Sequence, residues 1–340
     1  MGGRKSLNKL KSCTLRADGK GNYMKNAAEF LAEKKWGVFS HYLYHSVCDP
    51  TEIHNRGVGE VSWCDAVNMF DVERVAYTLH KMNAGYYFIT LMQGTRHMLA
   101  PNETYDKIAG TLPGEACATR DLPMELGLAL EKYGIDLCLY YTGDGPHKDP
   151  DIGPRFGFTG NGRDGKVVDP EFCEKWASVV GEYAERYGSL VKAWWLDGFY
   201  EREFGYTNEL RGIYHKAIKK GNPNAAVAFN DGVKNGFWRV YPEEEFICGE
   251  FNDFLLVPYN KYIEGAQAHV LAPLGYDKDG FIDWNGWSKT GLRHTKEYMR
   301  DYIRACARIG GAVSVDILTH IDGSFDVEQE AVMRWVGENL

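Results

Sequence analysis

The sequence predicts an α/β fold, a single-domain (β/α)8 TIM-type barrel, on three observations. Eight short apolar runs recur along 340 residues, and stretches with helical spacing separate most of them. The residues that end those runs are mostly polar, as expected where the C-terminal ends of parallel strands meet at the mouth of a barrel. A Gly-x-Gly-x-x-Gly fingerprint is absent, which argues against the runner-up, an open doubly wound sheet with a phosphate-binding first turn. The barrel takes up residues 26–340 and leaves 1–25 as a polar, Gly-containing N-terminal arm.

The elements follow in order. Residues 26–35 suit a short helix across the barrel's bottom, and WGVFSHYLYHS, from Trp36, gives a first strand ending near His41. A polar loop then leads to Trp63. Val72, Val75, Ala76 and Leu79 share one helical face behind Asp71, a residue type suited to a helix start. YYFITL, residues 86–91, is the second strand, and Gln93 opens the long polar loop after it. Pro123 and Gly134 bound a second helix, and residues 135–141 form the third strand, ending at Tyr141. Asp169-Pro170 opens a third helix that ends at Tyr187-Gly188. The fourth strand, VKAWWL, is apolar but for one Lys, as in a strand buried on both faces, and stops at Asp197-Gly198. A helix from about Asn208 precedes three further strands at residues 225–230, 246–251 and 266–272. A long loop with Trp284 and Trp287, a helix ending at Gly310-Gly311, the eighth strand at 312–317 and a helix capped by Asp326 complete the chain.

Composition narrows the partners. With 44% hydrophobic and 25% charged residues the chain reads as globular. A net charge of −8, with no Lys/Arg cluster interleaved with aromatics, excludes nucleic acid as an expected partner. No run approaches the ~18 apolar residues of a membrane span, and the basic N-terminus lacks the apolar centre of a secretion signal. The eight cysteines form no Cys-x-x-Cys pair and read as free thiols in a reducing compartment, so the expected location is cytoplasmic. The 21 Tyr and 9 Trp are a high aromatic content, part of which can be core; a surplus also suits a carbohydrate, whose C–H faces stack on aromatic rings.

The strand ends, in order, are His41, Gln93, Tyr141, Asp197, Asn230, Glu250, His269 and Asp316. Polarity returns at any strand end, and Asp-Gly is a common turn pair. That accounts less well for carboxylates directly after the aromatic or apolar runs at Asp197 and Glu250. Two carboxylates at one mouth suit glycoside hydrolysis, in which one attacks the anomeric carbon and the other protonates the leaving oxygen. Strands four and six are next-nearest neighbours, whose ends could hold carboxyls about 5–6 Å apart, the retaining separation. Trp195 and Trp287 offer stacking faces. A rival reading takes His41, Asp197, Glu250 and His269 as ligands of a metal-dependent hydrolase or lyase. The preferred reading assigns no metal and no cofactor.

In the order of its motifs the chain resembles the catalytic barrel of glycoside hydrolase family 29, the α-L-fucosidases, from Trp36 onward. WGVFSHYLYHSV is similar to the family's Gly-Val-Phe-x-His-Trp-Gly segment, which implies a sugar-binding role for His41. RDLPMELGLALEKYGIDLCLYY resembles its helix and third strand and implies a pocket Tyr at Tyr141. WWLDG resembles the Trp-x-Asp-Gly run of the nucleophile, hence Asp197. FND at 229–231 resembles the fifth-strand Asn-Asp, and GEF falls at the acid/base Glu, hence Glu250. IGGAVSVDILTHIDGSF is similar to the Gly-Gly-rich eighth strand. The chain departs from the family where Leu91-Met92-Gln93-Gly94 replaces a fucose-gripping His-His-Asp-Gly. It departs again where Gly232 replaces an Arg, where Ser62-Trp63 replaces a Glu-Trp, and in lacking a trailing β-sandwich. The resemblance implies a retaining exo-glycosidase acting on a small carbohydrate or glycoside, its sugar not, or not only, fucose. Its expected pocket is His41, Trp63, Gln93, Tyr141, Trp195, Asn230 and Trp287. The alternative within the same family is a carbohydrate-binding barrel without turnover.

Overall fold

The structure, a computed structural model, describes residues 26–158, 168–276 and 286–340. The expected N-terminal arm and Trp284 lie outside the described residues. Seven parallel strands form one sheet: β1 (Trp36–Ser40), β2 (Tyr86–Thr90), β3 (Asp136–Thr142), β4 (Val191–Asp197), β5 (Ala226–Phe229), β8 (His269–Pro273) and β9 (Ala312–Asp316). A small antiparallel hairpin, β6 (Tyr262–Ile263) with β7 (Ala266–Gln267), precedes β8. The sheet order is β5-β4-β3-β2-β1-β9-β8, so chain neighbours pair and the first strand lies beside the last.

The helices lie where periodicity and caps predict them. Val72–Lys81, Leu122–Glu131, Pro170–Tyr187 and Val327–Glu338 start behind Asp71, Asp121, Asp169 and Asp326. Each of those carboxylates accepts at least one otherwise unpaired first-turn N–H, a bond worth ~1 kcal/mol per cap.

The expected sixth strand, 246–251, is a correction. It lies against β7 and β8 through isolated bridges at Phe246–Gln267 and Glu250–Leu271, and Glu245 N donates to Val227 O of β5 at 3.0 Å. The stretch therefore joins both edges of the sheet without forming a regular strand. Gly249 interrupts it: φ there is +59°, and a Cβ would fall 1.9 Å from the His269 carbonyl oxygen. A side chain fits neither the conformation nor the approach.

Strand alternation sorts the core into two layers. Phe39, Tyr86, Phe88, Tyr140, Trp195, Ala228 and Leu271 belong to an inner cluster. Val38, Tyr87, Ile89, Tyr141, Trp194, Leu196 and Phe229 pack in the outer cluster with the helices. Both layers are apolar, which is why the strands read as continuous hydrophobic runs. Following the inner parity to and just past the strand ends gives His41, Asp197, Asn230 and Asp316. The seven cysteines among the described residues are all free. No helix among the described residues is long and apolar enough to cross a membrane.

Candidate active site

A cavity of about 410 Å³ opens at the C-terminal ends of these strands, and Phe39, His41, Gln93, Tyr140, Trp195, Asp197, Tyr200, Glu250, Leu271 and Trp287 line it. Asn230 binds it together. Its Nδ2 donates to Asp197 Oδ1 at 2.8 Å and to Glu250 Oε2 at 2.5 Å. Those two oxygens share one nitrogen, so their separation cannot exceed the two bonds laid end to end, about 5.3 Å.

Asp197 accepts two more bonds, from Tyr140 Oη to Oδ2 at 2.6 Å and from Tyr200 Oη to Oδ1 at 3.2 Å. Burial raises its pKa above the ordinary carboxylate value, while the Tyr140 and Asn230 bonds pull it back. Gly198, at φ +72°, turns the chain immediately behind it, where a Cβ would meet Asp144. Glu250 has fewer donors. Burial, then the neighbouring Asp197 charge, pushes it up to about 7. The pair thus divides into a carboxylate supplied with hydrogen bonds and a carboxyl that holds its proton near neutrality.

Above them, His41 Nδ1 lies 2.8 Å from Asp316 Oδ1. Burial works to remove the His41 proton, but the Asp316 carboxylate, with Asp197 and Glu250 beyond it, outweighs that and raises the pKa. The Trp287 indole stands edge-on to His41 at 5.7 Å and donates to Asn252 Oδ1 at 3.2 Å. Trp195 stacks on Tyr140 with ring centres 5.4 Å apart. Gln93 Nε2 donates to Tyr140 Oη at 2.9 Å, so it acts on Asp197 through the tyrosine.

Of the sequence-predicted residues, the structure brings together His41, Gln93, Trp195, Asn230, Trp287, Asp197 and Glu250. Two lie elsewhere. Tyr141 faces the helices, donates to Trp176 O at 2.9 Å and stacks on the Trp176 ring; strand alternation turns Tyr140 inward instead. Trp63 is buried beside Tyr42, and its Nε1 donates to Met98 O at 2.7 Å. His269, a ligand of the rival metal reading, opens β8 rather than ending it. Its two nitrogens are occupied by Cys248 O at 2.9 Å and Ser314 Oγ at 2.7 Å. Among the described residues no group of three or more His, Cys, Asp and Glu is arranged to hold a metal ion. Sequence reading missed Tyr140, Tyr200 and the contact of Asp316 with His41. Asp316 is among the strand ends read from the sequence, but no local signal pairs it with His41, 275 residues away.

Neither a family model nor a curated protein sequence matches the chain. Solved structures do. The chain is similar to the endo-fucoidan hydrolase MfFcnA9 of glycoside hydrolase family 107 (TM-score 0.67, 14% identity, 92% of this chain and 64% of that one). It is similar to P5AFcnA of the same family (TM-score 0.64, 15% identity, 92% and 93%). It is similar also to a family 29 α-L-fucosidase from Bacteroides thetaiotaomicron (TM-score 0.60, 18% identity, 96% and 75%). The chain thus spans under two thirds of MfFcnA9 and 53% of a second family 107 hydrolase, MfFcnA4. The fold is that of fucosidase-like glycoside hydrolases. Families 107 and 29 are both represented, so the likeness does not single out family 29.

Proposed function

We propose that the chain is a retaining exo-glycoside hydrolase of the fucosidase-like class, with Asp197 as nucleophile and Glu250 as acid/base. The observation that carries this is the shared Asn230 amide. It holds one oxygen of each carboxylate no more than about 5.3 Å apart, which supports the close retaining arrangement of about 5–5.5 Å over the roughly 6.5–9.5 Å an inverting water needs. The Asp197 carboxylate attacks the anomeric carbon while Glu250 gives its proton to the departing oxygen. The resulting ester is then opened by a water whose proton returns to Glu250, freeing Asp197. A Glu250 pKa of about 7 suits both halves near neutral pH.

The exo mode and the cytoplasmic location rest on the sequence reading. The sugar is not, or not only, fucose, because Gln93 falls where the family 29 pattern has its fucose-gripping run, and Gln93 is engaged by Tyr140. Trp195, His41 and Trp287 are the pocket's sugar contacts.

A panel of 2-fluoroglycosyl fluorides, followed by peptide mass mapping, tests the reading. The expected result is a covalent adduct on the peptide carrying Asp197, and none in Asp197→Asn. An adduct elsewhere, or full turnover in Asp197→Asn, would sink the assignment. Sugar binding without turnover across the panel would favour the non-catalytic alternative.

A further inference from the structure

Asp316 ends β9 in the inner parity, opposite Phe39 of β1 in the register, and is almost wholly buried. Its two oxygens do different work. Oδ1 receives His41 Nδ1 at 2.8 Å, and Oδ2 receives the backbone N–H of Ser288 at 2.8 Å. Ser288 has φ +52°, a left-handed conformation uncommon for a residue with a Cβ. It directly follows Trp287, whose indole stands against His41 and is tied at its far edge to Asn252. One carboxylate therefore grips two walls of the cavity, the imidazole by its ring and the Trp287 loop by its backbone.

We propose that Asp316 is a positioning residue that fixes both walls at once. It holds His41 with Nδ1–H toward itself and Nε2 available to the ligand, and it holds the strained turn at Ser288 that sets Trp287 over the sugar. The proposal deepens the glycosidase reading and rests on it for the identity of the ligand. The bracket itself is a matter of geometry. The titratable groups facing His41 are Asp316 on β9, Asp197 on β4, Glu250 beside β8, Tyr140 on β3 and His45 on the short helix Tyr44–Val47 that follows β1, with Lys289 and Glu52 lining the same cavity. Asp316 is the one in direct hydrogen-bond contact with the His41 ring.

Asp316→Asn is nearly the same shape but offers one acceptor oxygen and one amide donor, so it cannot accept both bonds. The readouts are the His41 ring titration by NMR (assigned by its absence in His41→Gln), the melting temperature, and kcat and KM separately. D316N is expected to lower the His41 titration midpoint and the melting temperature. It should also raise KM roughly tenfold, the effect of losing one bond to a charged group, with a smaller change in kcat. Adding Ser288→Gly, which takes a left-handed φ without strain, should restore part of the melting temperature and of KM, but not the titration. If D316N alone folds poorly, D316N/S288G carries the same readouts. An unshifted titration in an active enzyme overturns the His41 arm, and no recovery by S288G overturns the loop arm. Titration and melting need no turnover. An inactive wild type that shows these shifts would therefore remove the glycosidase reading and leave the bracket standing.

Discussion

Two histidines face the same inner layer of the sheet, and burial alone would make them alike. His269 lies at the start of β8, both ring nitrogens satisfied by neutral groups, and burial drives it down to about 4. His41 lies just past the end of β1; burial pushes it the same way, but the Asp316 carboxylate reverses the outcome. The difference is position along the strand. At the lower end the sheet interior is apolar or paired neutrally, so charge is excluded. At the upper end four carboxyl-bearing or phenolic side chains, Asp197, Glu250, Asp316 and Tyr140, surround the ring, and charge is retained. Position along the strands thus decides which buried polar groups are structural and which are available for chemistry.

The largest test of that division is Glu250→Gln. If the upper end works through proton transfer, kcat on substrates with poor leaving groups should fall about 10²–10⁴-fold, and much less on activated aryl glycosides. Wild-type kcat/KM should be bell-shaped. Glu250 must carry its proton to act as acid, so activity is lost as pH rises through about 7. Asp197 must be ionised, so activity is lost as pH falls through its own raised pKa. The two limbs belong to the pair rather than to single residues. Loss of the alkaline limb in Glu250→Gln would support the assignment, and an unchanged profile would break it.

The histidines themselves form the next pair. His41→Gln should lower kcat/KM by about tenfold to a hundredfold with little change in stability, as expected for losing a charged hydrogen-bond partner of the ligand. His269→Gln should do the reverse, leaving kinetics near wild type and removing an acid-sensitive term from stability. His269 is held neutral in the fold, with a pKa depressed from 6.5 to about 4. Its contribution is present above the unfolded value and lost as pH falls from about 6.5 to about 4, on the order of 3 kcal/mol at most. His54 and His97, also lowered to about 4, act in the same window. Denaturant melts at pH 7 and pH 5 should therefore differ less in His269→Gln than in wild type. An equal difference would show that His269 is not excluded from charge.

Much of this was legible in the sequence, and the misses share a cause. Periodicity and Asp caps located the helices, and apolar runs located seven strands. Asp197 and Glu250 stood out because a carboxylate after a buried run is costly without a purpose. The sixth run failed as a strand because Gly249 imposes a left-handed turn that composition does not reveal. His269 was placed at a strand end because the apolar run through β7 and β8 reads as one segment, whereas the chain folds a hairpin before β8 begins. Trp63 is an aromatic whose polar edge a backbone carbonyl satisfies, which no spacing rule distinguishes from a stacking face. The bond from Asp316 to His41 joins residues 275 apart in the chain, beyond any local pattern.

Tyr140 and Tyr141 give the smallest and sharpest form of the comparison, because two identical neighbours on one strand face opposite layers. Tyr140 donates to Asp197 at 2.6 Å and Tyr141 to Trp176 O at 2.9 Å. Removing the first hydroxyl takes away a bond that stabilises the Asp197 carboxylate. Tyr140→Phe should therefore shift the acid limb of kcat/KM to higher pH and lower the rate, with Gln93 left short of a partner. Removing the second takes an extra donor from the Trp176 carbonyl, which keeps its helical partner within Pro170–Tyr187, so Tyr141→Phe should cost about 1 kcal/mol of stability and leave the pH profile unmoved. Urea melts and pH–rate curves on the two variants separate the roles. Equal kinetic effects from both would mean that strand parity does not sort this sheet's tyrosines, and would return Tyr141 to the pocket that its sequence position first suggested.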